Sequence, residues 1–151
     1  MGYYLQSIMG TRDVLQTVGL RYVNARTIPL YKQICIIPLT EDLFDEMNQF
    51  KTSESIGKFE LLNKRLFDIL EVTSESGIIA YVEAEYFGGV GGQGVIVWDN
   101  HEVLLFEQFA NDAINKALKL LGVKCDKDKD EFDTVGLGKH RNTVDWLEEV
   151  N

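Results

Sequence analysis

Two glutamates two residues apart, Glu83 and Glu85, stand directly before the most glycine-dense stretch of the chain. In a strand, residues i and i+2 share a face and lie roughly 6.5–7 Å apart. That separation suits a pair of carboxylates flanking a scissile bond, chelation of a cation, or display of negative charge to a basic partner. The reading without chemistry is a solvated sheet face with Val82, Ala84 and Tyr86 turned inward, and it takes precedence over catalysis.

Gly88, Gly89, Gly91, Gly92 and Gly94 fill five of the next positions, with Gln93 among them. Glycine is costly to order, so such clustering needs positive φ angles or the close approach of another group. Exposed N–H groups in a loop of this kind form an anion-binding nest. The alternative, given more weight, is a bulged hairpin connection between two strands. No Lys-Ser or Lys-Thr follows, so the stretch is not a Walker loop. A β-branched run rather than a helix comes after it, so it is not a dinucleotide fingerprint.

A second candidate runs from Asp133 to Trp146. His140 lies between Lys139 and Arg141, just ahead of a helix cap at Asn142 or Thr143. A helix start with basic neighbours suits an anion, and an imidazole exchanges protons near neutral pH. The plainer expectation is a structural loop whose cations pair with nearby aspartates. His101, in a predicted hairpin turn, is expected to be exposed and inert. Asp126 to Asp130 imitates the start of an EF-hand, but Glu131 and Leu137 occupy the positions that need glycine and a bidentate glutamate. Cys35 and Cys125 with two scattered histidines make no zinc set. No metal and no cofactor is expected.

The elements that must position these residues follow from pattern. Tyr3 to Ile8 reads as a strand. Thr11 caps a helix carrying Val14, Leu15 and Val18, which Gly19 ends. Tyr22 and Val23 begin another extended piece. Tyr31 to Ile37 is one strand, stopped by Pro38. Thr40 caps a helix with Leu43, Phe44, Met47 and Phe50 inside, and Glu41 and Asp42 suit its first turn. Phe59, Leu62, Leu66, Ile69 and Leu70 recur at helical spacing. Ile78 to Phe87, Val95 to Trp98 and Val103 to Phe106 are strands. The second of these is too apolar for an exposed face, so it lies centrally. Asp99 and Asn100 turn it into the third. Ala110, Ala113, Ile114, Ala117, Leu118 and Leu121 make an amphipathic stripe closed by Gly122. A short helix with Trp146 and Leu147 ends the chain. Elements segregate by type, which predicts a single α+β domain spanning residues 1–151, a largely antiparallel sheet with helices on one face.

The 151 residues carry 24 Asp and Glu against 15 Lys and Arg, a formal charge of −9. That field repels phosphate backbones and anionic lipid, so neither nucleic acid nor a membrane is an expected partner. The longest apolar run, Ile34 to Leu39, is far shorter than the ~20 residues a membrane helix needs. The first residues match neither a signal peptide nor the myristoylation pattern. Two cysteines do not make a disulfide scaffold, and a cytoplasmic location is expected. Cys35, in an apolar run, is expected to be a small buried hydrophobe.

Glu85 to Gln93 followed by Val95-Ile96-Val97-Trp98 resembles a segment of small, largely uncharacterised bacterial proteins. Gly136 to Arg141 with Asp145-Trp146-Leu147 does so too. Such proteins are similar in type to the immunity partners of bacterial toxin systems. The resemblance implies a binding role and transfers no catalytic residues. Two functions are therefore expected. One is a non-enzymatic acidic protein docking on a basic, toxin-like partner through a surface that includes Glu83 and Glu85. The other is a small enzyme or ligand binder in which the Gly88–Gly94 loop, His140, Arg141 and the glutamate pair converge. The first is preferred.

Overall fold

The structure, a computed structural model, describes residues 2–149. They form one α+β domain around a six-stranded sheet. The chain runs β1 (Gly2–Thr11), α1 (Arg12–Arg21), β2 (Ile28–Tyr31), β3 (Ile34–Pro38), α2 (Glu41–Met47), α3 (Lys64–Thr73), β4 (Ile79–Phe87), β5 (Val90–Asp99), β6 (Glu102–Ala110), α4 (Ala113–Leu120) and α5 (Glu131–Val135). Short 3-10 turns follow α3 and α5, and another spans Thr143–Glu149. The strand order is β2-β3-β1-β4-β5-β6, and every neighbouring pair is antiparallel.

The helices cover both faces of the sheet, not the one expected. The cause is legible in β4 and β5, whose residues alternate between two cores. Ile79, Tyr81, Ile96 and Trp98 pack with Leu15, Leu43, Leu66 and Leu70 from α1, α2 and α3. Ala80, Val82, Val95 and Val97 pack with Ala113, Ile114, Ala117 and Leu118 from α4. A strand with two apolar faces must be covered twice.

Thr40 caps α2 as its type predicts, accepting a hydrogen bond from the Leu43 N–H at 3.2 Å. Phe50 is not inside that helix's apolar face. It lies beyond the helix, 83% exposed, in a turn where Gln49 and Phe50 both have positive φ. Gly19 does not end α1, which continues to Arg21, and Tyr22–Val23 start no strand. The single strand expected over Tyr31–Ile37 is the hairpin β2–β3, turning at Lys32 with φ 53°. The helix expected from Phe59 begins only at Lys64, where the Asn63 side chain accepts from the Leu66 N–H. Phe59 and Leu62 are buried nonetheless, held in a closed loop whose ends meet at a Ser55–Asn63 bridge. Cys35 is fully buried, as its setting predicts.

β3 pairs with β1 only over Ser7–Thr11. The free half of that edge is covered by the C-terminal segment. Tyr4 N–H donates to the Arg141 carbonyl at 2.8 Å, and Gln6 N–H donates to the Thr143 hydroxyl at 3.0 Å. Covering an unpaired edge removes a template for unwanted strand pairing.

The β5–β6 turn is Asn100-His101, one residue later than expected, with φ of 47° and 73°. Two left-handed central residues match the twist of an antiparallel ribbon. His101 is exposed but not isolated: its Nε2 lies 2.6 Å from Glu75 Oε1 and its Nδ1 3.5 Å from Glu71 Oε2. The hydrogen bond to Glu75 raises the imidazole pKa above its ordinary 6.5. A folded-state pKa above the unfolded one means stabilisation that is complete below about pH 6.5 and lost as pH rises through the folded value. An NMR titration is expected to place His101 above 6.5, and Glu75→Gln to bring it down. Titration at or below 6.5 in the wild type would show that the pair does not form.

Candidate functional site

Glu83 and Glu85 do share a face, as the two-residue period requires, but their surroundings differ. Glu83 lies opposite Gln6 of β1 and Gly94 of β5, and Glu85 opposite Tyr4 and Gly92. With glycine across from each glutamate, no side chain from β5 fills the space in front of them. The result is a cavity of about 90 Å³ on this end of the sheet, its floor at Gly92 and Gly94 and its roof the Lys58–Glu60 segment. That is well below the ~300–1,000 Å³ typical of small-molecule sites. It matches the head of a single side chain.

The glycines are explained by what packs on them. A Cβ on Gly94 would lie 2.8 Å from the Phe59 ring, and one on Gly92 3.0 Å from Phe109 Cα. The stretch expected to be a loop is mostly strand: only Gly88 and Gly89 form the turn, while Gly91, Gly92, Gln93 and Gly94 pair with β4. An extended strand points successive N–H groups to opposite sides, so this stretch does not gather them into a nest. Gln93 faces the other way, and its Oε1 accepts the Ile114 N–H at 2.9 Å. It thereby caps α4, whose N-cap residue Asp112 makes no side-chain cap bond.

Glu83 is a structural carboxylate. Its oxygens accept the backbone N–H groups of Glu60 (2.8 Å), Leu61 (2.9 Å) and Leu62 (3.3 Å), and the Tyr81 hydroxyl at 2.6 Å. It is not the solvated residue of the plainer expectation. It sews the loop onto the sheet, helped by Gln108, whose Oε1 accepts the Lys58 N–H at 2.7 Å. Tyr81, wholly buried beside that carboxylate, has its phenol pKa pushed far up, first by burial and then by the Glu83 charge. Val82 and Ala84 are buried on the opposite face, as expected.

Glu85 is exposed, and Glu60 opens to the same cavity. Tyr4 stands between them: its hydroxyl donates to Glu60 Oε1 at 2.8 Å. Burial, with the Glu60 carboxylate adding to it, lifts the Tyr4 phenol to about 12. Tyr4 and Glu60 had no local signal in the sequence, because a Tyr in a strand and a Glu in a loop meet here across 56 residues.

At this end of the sheet stand exposed apolar side chains, of which Phe109 lines the cavity. Phe87 is 81% exposed, Val90 78% and Phe109 71%. Phe87 pairs with Val90, and the Phe109 ring reaches over Gly92. Phe109 sits at a bulge of β6 with φ 55°, a conformation costing an L-residue about 1–2 kcal/mol.

No family model, curated protein or solved structure matches this chain.

His140 and Arg141 do not line the cavity in front of Glu83 and Glu85. His140 is half-buried, its ring 4.6 Å from that of Trp146 and its Nε2 3.3 Å from Glu149. Lys139 pairs with the same carboxylate at 2.9 Å, and the two hold Glu149 below its ordinary pKa, Lys139 first. Arg141 reaches the Gly2 carbonyl at 3.4 Å. This segment closes the edge of β1. Trp146 is buried in the α4-side core, and the Tyr3 hydroxyl donates to the Leu137 carbonyl at 2.8 Å. In the Asp126–Asp130 run, Asp130 caps α5 by accepting the Asp133 N–H. Among the described residues no cluster of His, Cys, Asp and Glu could hold a metal. No helix among them is long and apolar enough to cross a membrane.

Proposed function

We propose that the chain is a non-catalytic acidic binding protein, of the immunity type, which docks the Glu85 end of its sheet on a basic protein partner. The observation that carries this reading is the exposure of three apolar side chains at the Glu85 end of the sheet: Phe109 on the cavity wall, and Phe87 and Val90 paired beyond Glu85 at the tip of β4–β5. Burying a large apolar side chain contributes roughly 1.5–3 kcal/mol, so three on one face supply the centre of an interface. Glu60 and Glu85 supply its charge, which exceeds that of the one cation in the cavity lining, Lys58, held 5.4 Å over the Phe109 ring, and the 90 Å³ cavity takes one lysine or arginine head. The net charge of −9 steers a basic partner toward contact and rejects acidic ones. The resemblance to immunity proteins points the same way.

The test is capture of a partner from the native host at low and high salt, followed by binding kinetics with the purified partner. Glu85→Lys is expected to slow association at least tenfold and flatten its salt dependence. Phe87→Ser with Val90→Ser is expected to speed dissociation by a similar factor. Asp126→Lys with Asp128→Lys, in the remote charged loop, serves as the control and should leave the dissociation rate unchanged. A bound partner indifferent to all of these surface changes would sink the reading, as would capture of no salt-sensitive protein.

A further inference from the structure

A second cavity has the opposite charge. It measures about 510 Å³ and lies between the end of α1, the turn after α2 and the start of α3. Arg21, Lys51, Lys64 and Arg65 line it, with the hydroxyls of Thr52 and Ser53 between them. One carboxylate is present, Asp68, and it is paired with Lys64. In a chain where acids outnumber bases by 24 to 15, four cations brought together by three separate elements are unusual. Asp68 offsets only Lys64, so the other three repel one another unless a further anion sits among them.

The walls are preorganised. Asn48, 1% exposed, accepts from the Asn63 side-chain amide at 2.9 Å and donates to the Phe44 carbonyl at 2.8 Å. This ties the turn to the start of α3. The left-handed pair Gln49 and Phe50 then reverses the chain, and the Lys51 N–H closes on the Asn48 carbonyl at 3.1 Å. Arg65 is aimed by its Nε, which donates to the Met47 carbonyl at 2.7 Å. The Ser53 hydroxyl accepts the Arg65 N–H at 3.2 Å. Among the described residues Arg21, Lys51 and Arg65 form no ion pair.

We infer that this cavity binds a small phosphorylated molecule. Its volume lies within the ~300–1,000 Å³ of small-ligand sites. Guanidinium forks and ammonium groups are the side chains that grip phosphate oxygens, and hydroxyls donate to them. The overall negative charge slows the approach of an anion. Once the anion is bound, charges within about 8 Å dominate at physiological salt, and those of the lining are mainly positive.

The experiment is thermal unfolding and calorimetric titration of the intact chain with inorganic pyrophosphate, against sulfate and chloride at equal ionic strength. Pyrophosphate is expected to raise the midpoint saturably, as a ligand specific to the native state must. Arg21→Glu with Lys51→Glu, both at exposed positions, is expected to weaken binding at least tenfold while leaving the ligand-free midpoint close to that of the wild type. Asp68→Asn, which removes the only carboxylate of the lining, is expected to tighten it about threefold. Should the double variant unfold, Lys51→Ala alone is to lose affinity measurably. Equal shifts from sulfate and pyrophosphate that survive in the charge-reversed protein would mark general salt exclusion and overturn the inference. So would the absence of any saturable shift.

Discussion

Glu83→Ala is expected to destabilise the protein by about 3–5 kcal/mol, a loss in the range reserved for broken buried networks. The carboxylate is the common acceptor for three consecutive N–H groups and a buried hydroxyl. Bonds to a charged acceptor are about twice as strong as neutral ones. Alanine leaves the Tyr81 hydroxyl and the part-buried Leu61 and Leu62 N–H groups without their acceptor, while the exposed Glu60 N–H can turn to water. Tyr81 cannot turn its hydroxyl to solvent, because its side chain is fully buried. Glu83→Gln is expected to lose about half as much, since its amide keeps one acceptor oxygen and turns an NH₂ toward the remaining donors. Urea unfolding gives the free energies. Amide exchange should accelerate at Glu60, Leu61 and Leu62 before the rest of the sheet opens. A loss below about 1 kcal/mol would mean that Phe59 and Leu62 hold the loop without the carboxylate. A binding experiment aimed at the acidic surface should therefore use Glu85 and not Glu83, whose loss disturbs the fold.

The glycines of the β4–β5 hairpin are expected to divide sharply. A Cβ on Gly91 would lie 1.8 Å from the Glu85 carbonyl oxygen and 2.8 Å from Tyr86 Cα. Both are backbone atoms fixed by the β4–β5 ladder, so Gly91→Ala is expected to cost about 4 kcal/mol or more, or to prevent folding. Gly94→Ala meets only the edge of the Phe59 ring, and about 2 kcal/mol is expected as that ring yields. Gly88→Ala meets nothing within 4 Å, but its φ of 60° imposes a left-handed strain of about 1 kcal/mol. The order Gly91, Gly94, Gly88 in denaturant unfolding is the check. Equal losses at the three sites would show that turn geometry, and not close approach across the strands, accounts for the glycine cluster. Because Gly94→Ala displaces Phe59 from the cavity wall, it also tests whether the cavity shape matters to a partner.

Much of the frame is visible in local pattern. From Ala113 to Leu121 the expected stripe is buried against the sheet, with Gly122 at φ 97° behind it, but Ala110, expected to open it, instead ends β6. The Thr40 cap is made, and Val95–Trp98 is covered on both faces. Failures came where local rules compete. Phe59 and Leu62 have helical spacing relative to Leu66, yet Asn63 caps the helix after them and the preceding N–H groups find an acceptor elsewhere. Tyr31 to Ile37 is rich in strand-forming residues on either side of Lys32-Gln33. Propensity averaged over such a run cannot show a reversal at residues without glycine or proline.

For the candidate site the division is sharper. The two-residue spacing of Glu83 and Glu85 determined that they share a face, since strand periodicity is a property of the backbone. What each carboxylate does was decided by segments distant in sequence. Glu83 is claimed by a loop 21–23 residues away, and Glu85 is left open opposite a glycine. Arg141 was drawn to the edge of β1 by hydrogen bonds reaching across more than 130 residues, while His140 beside it packs on Trp146 and Glu149. Amino-acid order thus set the periodic, short-range features of this protein: which segments curl or extend, and which sides are oily. Folding alone chose the neighbours, because a hydrogen-bond donor or an empty space is supplied by whichever part of the chain packs there.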